Sequence, residues 1–236
     1  MKKWNKLPKS MQNAEVKKYY NILQRKKLSL FIKRLFDILF SIIGLALLSP
    51  LFLLLSIAIK IDSKGPVFYR QERITTYGRT FRIFKFRTMV YNADKIGALV
   101  TTKGDNRITR MGALIRKCRL DEIPQLINIL VGDMSFVGTR PEVKKYVNRY
   151  TDEMKATLLM RAGVTSYASI YYKDEDEILT KYAKTNTDID EVYVSKILPQ
   201  KMKHNLGYIK SFSTIEDIKI IFKTAFAVLK KDKGAI

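Results

Sequence analysis

One uncharged apolar run, "ILFSIIGLALLSPLFLLLSIAI" at residues 38–59, most constrains how this chain can fold. A straight helix of that length would reach about 33 Å, enough to cross the hydrocarbon core of a bilayer. Ser49 and Pro50 stand near its centre, and an interior proline removes a backbone hydrogen bond and favours a bend. The length therefore permits a spanning helix, whereas the proline permits one that enters the membrane and turns back.

Basic residues crowd both ends of the run, and the positive-inside rule places both flanks in the cytoplasm. These flanking residues are Lys26, Lys27, Lys33, Arg34, Lys60, Lys64, Arg70 and Arg73. A re-entrant pair of helices broken at Ser49-Pro50 satisfies both flanks, with the Ser49 hydroxyl bonding a carbonyl freed by the proline. Asp37 follows Lys33 and Arg34 at helical spacing, so we expect these three to pair at the interface. The flank charges favour the re-entrant helix, and a spanning helix is the alternative.

The net charge of +22 predicts a polyanionic partner, such as nucleic acid, an anionic membrane leaflet or a phosphorylated substrate. The apolar run favours the last two. Residues 1–34 carry eleven Lys and Arg against Glu15 alone, so residues 1–31 read as a basic N-terminal extension. This extension either binds anionic lipid headgroups or is a solvated, partly disordered tail. Cys118 is the only cysteine and His204 the only histidine, which disfavours disulfides, a Cys/His catalytic pair and a histidine metal site.

Residues 61–236 are predicted to form a small, mostly helical cytosolic domain with short strands, so the fold class is α+β. The stretches "GPVFYRQERI" and "GRTFRIFKFRTM" read as strands. Residues 109–119 read as a helix capped by Thr109, and "IPQLINIL" as a second helix with Pro124 in its first turn. The stretches "KDEDEILTKYAK" and "VYVSKILPQKMKHNLGYIKSF" also look helical, although Pro199 should kink or break the latter.

The last predicted helix opens with the capping box Ser213-x-x-Glu216. An apolar stripe follows at helical spacing, made by Ile215, Ile218, Phe222, Ala225 and Leu229. With the lysines around it, this helix could lie on a membrane or pack into the core, and the sequence leaves both open.

The densest chemical signal is "LIRKCRLDEIPQLINILVGDMSFVGTRP" at residues 114–141. Asp121 and Glu122 open a helix, and an ionised carboxylate there can attack phosphorus or hold a divalent cation. Arg116 and Arg119 could bind phosphate oxygens, and Arg140 adds a charge in a turn-rich segment. The plainer interpretation is an Asp N-cap beside surface arginines. There is no Walker A sequence or convincing dinucleotide fingerprint, which disfavours kinase-type and hydride chemistry.

The ordered motifs "KRLFD", "LLSP", "GPVFYRQERI", "FKFRTM", "GDNRITRMG" and "LDEIPQLINILVGDMSFVGTRP" resemble those of the bacterial sugar transferases. These are monotopic polyprenyl-phosphate phosphoglycosyl transferases. The resemblance covers about residues 32–171 and implies a re-entrant membrane helix over residues 32–60. It also implies an enzyme on the cytoplasmic face of the bacterial inner membrane. Such an enzyme moves a sugar 1-phosphate from a UDP-sugar to polyprenyl (undecaprenyl) phosphate and releases UMP, the initiating step of surface glycan assembly.

The same resemblance assigns roles to individual residues. Asp121 would be the nucleophile that forms a phosphosugar-aspartate, and Glu122, with Asp121 beside it, would hold Mg²⁺. Phosphate groups would be held by Arg116 and Arg140 in a basic site lined also by Lys85 and Arg87, while Ser49 and Pro50 would break the membrane helix.

The chain also departs from the family pattern. Thr139 stands where members commonly have proline, and "AGVTS" at 162–166 replaces a "PGITG" stretch, so sugar recognition is not predicted. Residues 1–31 are basic and polar, so we expect none of the extra membrane helices that precede the core in larger members.

Two competing functions remain at this stage. A nucleic-acid-binding protein explains the charge but gives no role to the apolar run, so no nucleic-acid partner is expected. A membrane-anchored adaptor leaves the acidic pair without a role. Expected partners are a UDP-sugar, polyprenyl phosphate and anionic lipids, with homo-oligomerisation left open.

Overall fold

The computed structural model describes residues 1–93, 105–172 and 189–230. Its helices are α1 Ala14–Arg25, α2 Lys27–Asp62, α3 Arg110–Lys117, α4 Gln125–Val131, α5 Lys144–Val147, α6 Tyr167–Tyr171, α7 Ile189–Val192, α8 Leu198–Ser211 and α9 Thr214–Lys230. Its strands are β1 Phe68–Ile74, β2 Thr80–Phe86, β3 Met134–Val137 and β4 Ala162–Thr165. The mixed, mostly helical fold class is confirmed, whereas the helix predicted over "KDEDEILTKYAK" lies outside the described residues.

The two predicted strands form an antiparallel hairpin, β1 with β2. Tyr77 and Gly78 make its turn with positive φ values of 60° and 76°. Phe81 and Ile83 of β2 pack against α4 and β3, whereas Phe86 on the opposite face packs with Ile59 of α2 and with α3. Strand β2 therefore packs against α4 on one face and against α2 and α3 on the other.

Strands β3 and β4 form a separate parallel pair. Beyond the end of β3, the backbone passes so close to β4 that a Cβ added at Gly163 would lie 2.1 Å from the Gly138 backbone nitrogen. Only glycine fits this approach. The contact fixes the start of the loop that carries Arg140.

The predicted interruption by Pro199 takes the form of a π-helical turn, Tyr193–Ile197, after which α8 begins. Pro199 lies in the first turn of α8, where its missing N–H costs least.

Helix α2 runs through Pro50 without interruption, so the prediction of two helices separated at Ser49 and Pro50 is not confirmed. The Ser49 Oγ donates to the Ala46 carbonyl at 2.8 Å. This is the carbonyl that a residue with an N–H at position 50 would bond, so the serine replaces the hydrogen bond lost to proline. Among the described residues, α2 is the one helix long and apolar enough to cross a membrane, and only 6% of its most apolar stretch is buried.

The direct partners of Lys33, Arg34 and Asp37 come from the folded domain, while Arg34 also lies close enough to Asp37 for a favourable Coulomb interaction. Lys33 Nζ lies 2.7 Å from Asp217 Oδ2 of α9, and this pair is buried. Arg34 donates to the carbonyls of Ile129 and Leu130 at 2.6 and 2.9 Å, which caps the C-terminal end of α4.

Asp37 is also buried and makes polar contacts with β3. Its Oδ1 accepts from the Ser135 hydroxyl at 3.0 Å and from the Phe136 N–H at 3.1 Å. The polar side chains of the first half of α2 therefore fasten it to the domain.

The opposite end of α2 is fastened to the same domain. Asp62 Oδ2 accepts from the Met111 N–H at 3.1 Å, at the start of α3. Arg87 is buried and donates to the Ser63 carbonyl at 2.7 Å, just past the helix end.

The basic N-terminal extension folds and is not a disordered tail. Helix α1 is capped by Asn13, whose side chain accepts from the Val16 N–H at 2.9 Å, and it buries Val16 and Leu23 completely. The Tyr19 hydroxyl donates to Glu153 at 2.6 Å. Residues 1–25 are thus part of the same hydrophobic core as β3 and α8.

Helix α9 exposes Ile215, Ile218, Phe222 and Ala225 of the predicted stripe, while the side chain of Leu229 lies outside the described part of the chain. The predicted cap is confirmed, since the Glu216 N–H donates to Ser213 Oγ at 3.1 Å. Asp217 and Ile220 face the core, whereas Ile215, Ile218 and Phe222 are exposed. Core packing of the stripe is therefore wrong for these residues.

Candidate active site

The acidic pair lies in a tight turn between two short helices. Helix α3 begins at its predicted cap, where Thr109 Oγ1 accepts from the Gly112 N–H at 3.0 Å. After α3, Arg119 adopts the left-handed conformation with φ 55°, and a 3₁₀ turn over Leu120–Glu122 leads into α4. A positive φ is uncommon for a residue with a side chain and here changes the direction of the chain just before Asp121.

Glu122 is held by two cations from distant parts of the chain. Lys85 of β2 donates to Glu122 Oε1 at 2.8 Å, and Arg140 Nη2 donates to the same oxygen at 2.6 Å. Burial alone would raise the pKa of Glu122. The charges and hydrogen bonds of Arg140 and Lys85 outweigh burial and hold this pKa well below its usual range. Glu122 is therefore ionised at neutral pH.

Asp121 stands beside the same cations but bonds them less directly. Its Oδ2 is 4.0 Å from Lys85 Nζ. Burial raises the pKa of Asp121, and Glu122 adds to this, while the charges of Lys85, Arg116 and Arg140 oppose it. The net direction is upward, so the two neighbouring carboxyls differ in proton affinity.

The structure brings together five of the predicted site residues: Lys85, Arg116, Asp121, Glu122 and Arg140. Two others lie elsewhere. Arg119 is exposed at the turn, and Arg87 bonds the C-terminal end of α2 instead of facing the acidic pair. The Lys85 and Asp121 side chains remain 22% and 17% exposed, so solvent and ligands can reach the pair.

Two supporting groups were not predicted from the sequence. Asn128 of α4 is completely buried, and its side chain bonds the backbone of β2. Glu142 is buried two residues after Arg140 and pairs with Lys201 at 3.2 Å. The only sequence signal for a supporting role of Asn128 is its place as a polar residue inside the apolar run "LINILV". For Glu142 the sequence offers no signal, because its partners are too distant in sequence to infer.

Comparison of the sequence with known proteins identifies the family. Residues 28–231 match the sequence profile described as "Bacterial sugar transferase". The chain belongs to the bacterial sugar transferase family. This assignment confirms the family resemblance carried by the sequence motifs.

Relatives within the bacterial sugar transferase family carry related names. The UDP-N-acetylgalactosamine-undecaprenyl-phosphate N-acetylgalactosaminephosphotransferase of Aeromonas hydrophila is 39% identical over 84% of this chain and 44% of its own length. The UDP-glucose:undecaprenyl-phosphate glucose-1-phosphate transferase of Caulobacter vibrioides is 33% identical over 86% of this chain and 71% of its own length. The chain thus spans less than half of the Aeromonas relative.

Proposed function

We propose that this chain transfers a sugar 1-phosphate from a UDP-sugar to polyprenyl phosphate, giving polyprenyl-diphosphate sugar and UMP. The observation that carries the proposal is Asp121, a part-exposed carboxyl 4.0 Å from Lys85 and within the field of two arginines. The undecaprenyl-phosphate phosphotransferase names of the relatives support this substrate class. The reaction would be the initiating step of surface glycan assembly.

The proposed chemistry has two displacements at one phosphorus atom. A carboxylate oxygen of Asp121 attacks the phosphate nearer the sugar, the bond to the UMP oxygen breaks, and UMP leaves with the electron pair. A phosphate oxygen of the polyprenyl acceptor then attacks the same phosphorus. This second step releases the Asp121 carboxylate and forms the diphosphate product.

The cations around Asp121 suit this chemistry. Arg116 and Arg140 can bind phosphate oxygens through the guanidinium fork, and Lys85 adds a third positive charge on another side. Fixed charges that face the phosphate stabilise the charge that develops during displacement. Arg119 and Arg87 have no such position, so their predicted phosphate role has no geometric support here.

A magnesium ion also fits the residue types present. No group of three or more metal-binding side chains occurs among the residues that the structure describes. Mg²⁺, however, is commonly bound by one or two carboxylates together with substrate phosphates, and Glu122 with Asp121 supplies that number. When bound, the ion would neutralise phosphate charge.

We further propose that α2 enters the cytoplasmic leaflet and returns to the same side. Arg34 and Asp37 tie its first half to α4 and β3, while Asp62 ties its end to α3. Both ends of α2 therefore contact one water-exposed domain. If α2 spanned the membrane, its two ends would lie in different compartments, and one domain could not contact both. The apolar residues between them are exposed, among them Ile42, Ile43, Leu47, Leu53, Leu54 and Ile57.

Helix α9 and the net charge support the same location. The exposed stripe of Ile215, Ile218 and Phe222 suits the acyl boundary, and exposed Lys219 and Lys223 suit anionic headgroups. The proposed site of action is thus the cytoplasmic face of the bacterial inner membrane.

UMP release by the purified protein tests the proposal. The enzyme should be screened with several UDP-sugars, with and without undecaprenyl phosphate. With a UDP-sugar alone, we expect a burst of up to one UMP per active site and exchange of labelled UMP into the UDP-sugar. A membrane adaptor would release no UMP with any donor.

Asp121→Asn identifies the nucleophile. The amide keeps the shape of the side chain but is a poor nucleophile, so burst and exchange should both fall by on the order of 10³-fold. Binding of the UDP-sugar should persist. UMP exchange at the wild-type rate by folded Asp121→Asn protein would exclude the covalent route.

A further inference from the structure

Strand β2 has one edge without a strand partner among the described residues. Its other edge pairs with β1. At the open edge, the Phe84 N–H donates to Asn128 Oδ1 at 2.7 Å, and Asn128 Nδ2 donates to the Arg82 carbonyl at 3.0 Å. One carboxamide thus bonds two backbone groups of β2, much as a neighbouring strand would.

The backbone of Asn128 also takes part in the hydrogen bonds that end α4. Its backbone carbonyl accepts from the N–H groups of Gly132 and Asp133, at 3.2 and 2.9 Å, where the helix ends. Its side chain has no exposed surface, so water does not compete for these bonds. The residue is therefore a rigid link between α4 and β2.

The two linked elements carry the two sides of the active site. Lys85 directly follows Phe84 in β2, and the turn with Asp121 and Glu122 directly precedes α4. Lys85 Nζ is 2.8 Å from Glu122 and 4.0 Å from Asp121. Because Coulomb interaction falls with distance, a small shift of β2 relative to α4 changes how strongly Lys85 acts on both carboxylates.

We propose that Asn128 is a positioning residue that sets the distance between Lys85 and the Asp121–Glu122 pair. This inference rests on the proposed function. In this proposal Asn128 does not contact the substrate. Its side chain holds the backbone of β2, and the backbone of β2 in turn positions the Lys85 side chain.

The proposal predicts that Asn128 and Lys85 act as one unit in UMP release. Lys85 reaches Glu122 at 2.8 Å and Asp121 at 4.0 Å from β2. If β2 shifts relative to α4, Lys85 loses these distances, and the rate of UMP release loses the contribution of Lys85.

Asn128→Leu tests this effect, because it keeps a similar volume and removes both hydrogen bonds to β2, together with the 3.4 Å hydrogen bond from Asn128 Nδ2 to Asp133 Oδ2. We expect the rate of acceptor-free UMP release to fall by on the order of 10–10²-fold, because a small displacement of a positioned group is costly. In a Lys85→Met background, Asn128→Leu should cause no further fall. A purely structural role would lower the rate by the same factor in both backgrounds.

Asn205→Leu is the matched control, since Asn205 is also a buried asparagine within a helix but belongs to α8. It should leave the rate of UMP release unchanged. Asn128→Gln retains the carboxamide but displaces it by one methylene, so it should give a smaller fall in the rate if Asn128→Leu folds poorly.

Hydrogen exchange tests the link without activity. In the wild type, the peptide that contains Phe84 should exchange slowly, and in Asn128→Leu faster. Fast exchange in the wild type, or an unchanged rate of UMP release in a variant whose Phe84 amide exchanges fast, would overturn the inference. A wild type that releases no UMP with any donor would instead refute the proposed function.

Discussion

At the scale of single residues, two adjacent carboxyls acquire different properties from their neighbours. Glu122 receives two short hydrogen bonds from cations, whereas the half-buried Asp121 lies beside the same cations at a greater distance. A low pKa suits a fixed anion, and a raised pKa suits a nucleophile whose basicity is retained. The two roles proposed for the pair therefore follow from contacts, not from residue type.

The raised pKa of Asp121 predicts the acid limb of UMP release. The carboxylate is lost as the pH falls through this raised value, so activity should decline at a pH above the ordinary aspartate value of about 4. The pH profile of the acceptor-free UMP burst measures this directly. A burst that keeps its full rate down to about pH 4 would contradict a raised pKa for Asp121.

Glu122→Gln should weaken metal dependence without removing the nucleophile. The neutral amide is a poorer ligand for a hard cation, so the Mg²⁺ concentration for half-maximal UMP release should rise by about tenfold or more. Wild-type release should also stop in excess EDTA and return with Mg²⁺ or Mn²⁺. Full activity of the wild type in EDTA would refute the metal requirement.

Local signals predicted part of this site and could not have predicted the rest. The Thr109 cap, the Pro124 start and the acidic pair are features of a few neighbouring residues, and all three lie where expected. Lys85 and Asn128 meet their partners across 37 and 44 residues, respectively, through tertiary contacts that no spacing rule encodes.

At the scale of elements, α2 combines an apolar exposed surface with a few buried polar anchors. The sequence alone suggested that these anchors pair within the helix, because i, i+3 and i, i+4 neighbours are the only partners a local pattern can supply. The fold brings α9 and β3 against this helix and offers Lys33 and Asp37 buried partners instead.

Lys33→Met should destabilise the protein strongly. It leaves the buried Asp217 without its cation, and breaking a buried pair typically costs about 3–5 kcal/mol. Thermal unfolding in detergent should therefore show a clear fall in melting temperature. Lys33→Met with Asp217→Leu removes both charges, and this double variant should recover much of the loss. If the single variant melts like the wild type, the ion pair contributes little.

At the scale of the whole molecule, the largest difference between the sequence-based prediction and the structure concerns the N-terminal extension. Nine basic residues suggested a solvated or lipid-bound tail, and composition cannot reveal which face of a short helix packs into a core. Val16 and Leu23 pack into a core shared with residues more than a hundred positions away. The domain division at residue 31 thus stays a prediction from sequence, while residues 1–25 pack with the domain.

Single cysteines test the proposed topology. In a Cys118→Ser background, Asn5→Cys and Glu72→Cys lie on the two sides of α2, and both positions are exposed. With both ends of the helix in the cytoplasm, neither should react with an impermeant thiol reagent in intact cells, and both should react after permeabilisation. Labelling of either one in intact cells would exclude the re-entrant arrangement.

Pro50→Ala is the matched variant for this experiment. Alanine restores the backbone N–H that proline lacks and removes the reason for a bend, so some molecules should span and expose Asn5→Cys outside the cell. An unchanged labelling pattern would mean that the polar anchors at the two ends of α2, and not the proline, decide the topology.

The anchoring of Lys33 by Asp217 has a consequence for biosynthesis. Asp217 is translated about 150 residues after the end of α2, which at about 5–20 residues per second is a delay of roughly 8–30 s. For much of this interval the apolar helix is outside the ribosome, but its last buried partner does not yet exist. If α2 enters the membrane as proposed, we expect the nascent chain to meet the lipid before α9 docks, and chains arrested before Asp217 should already sediment with membranes.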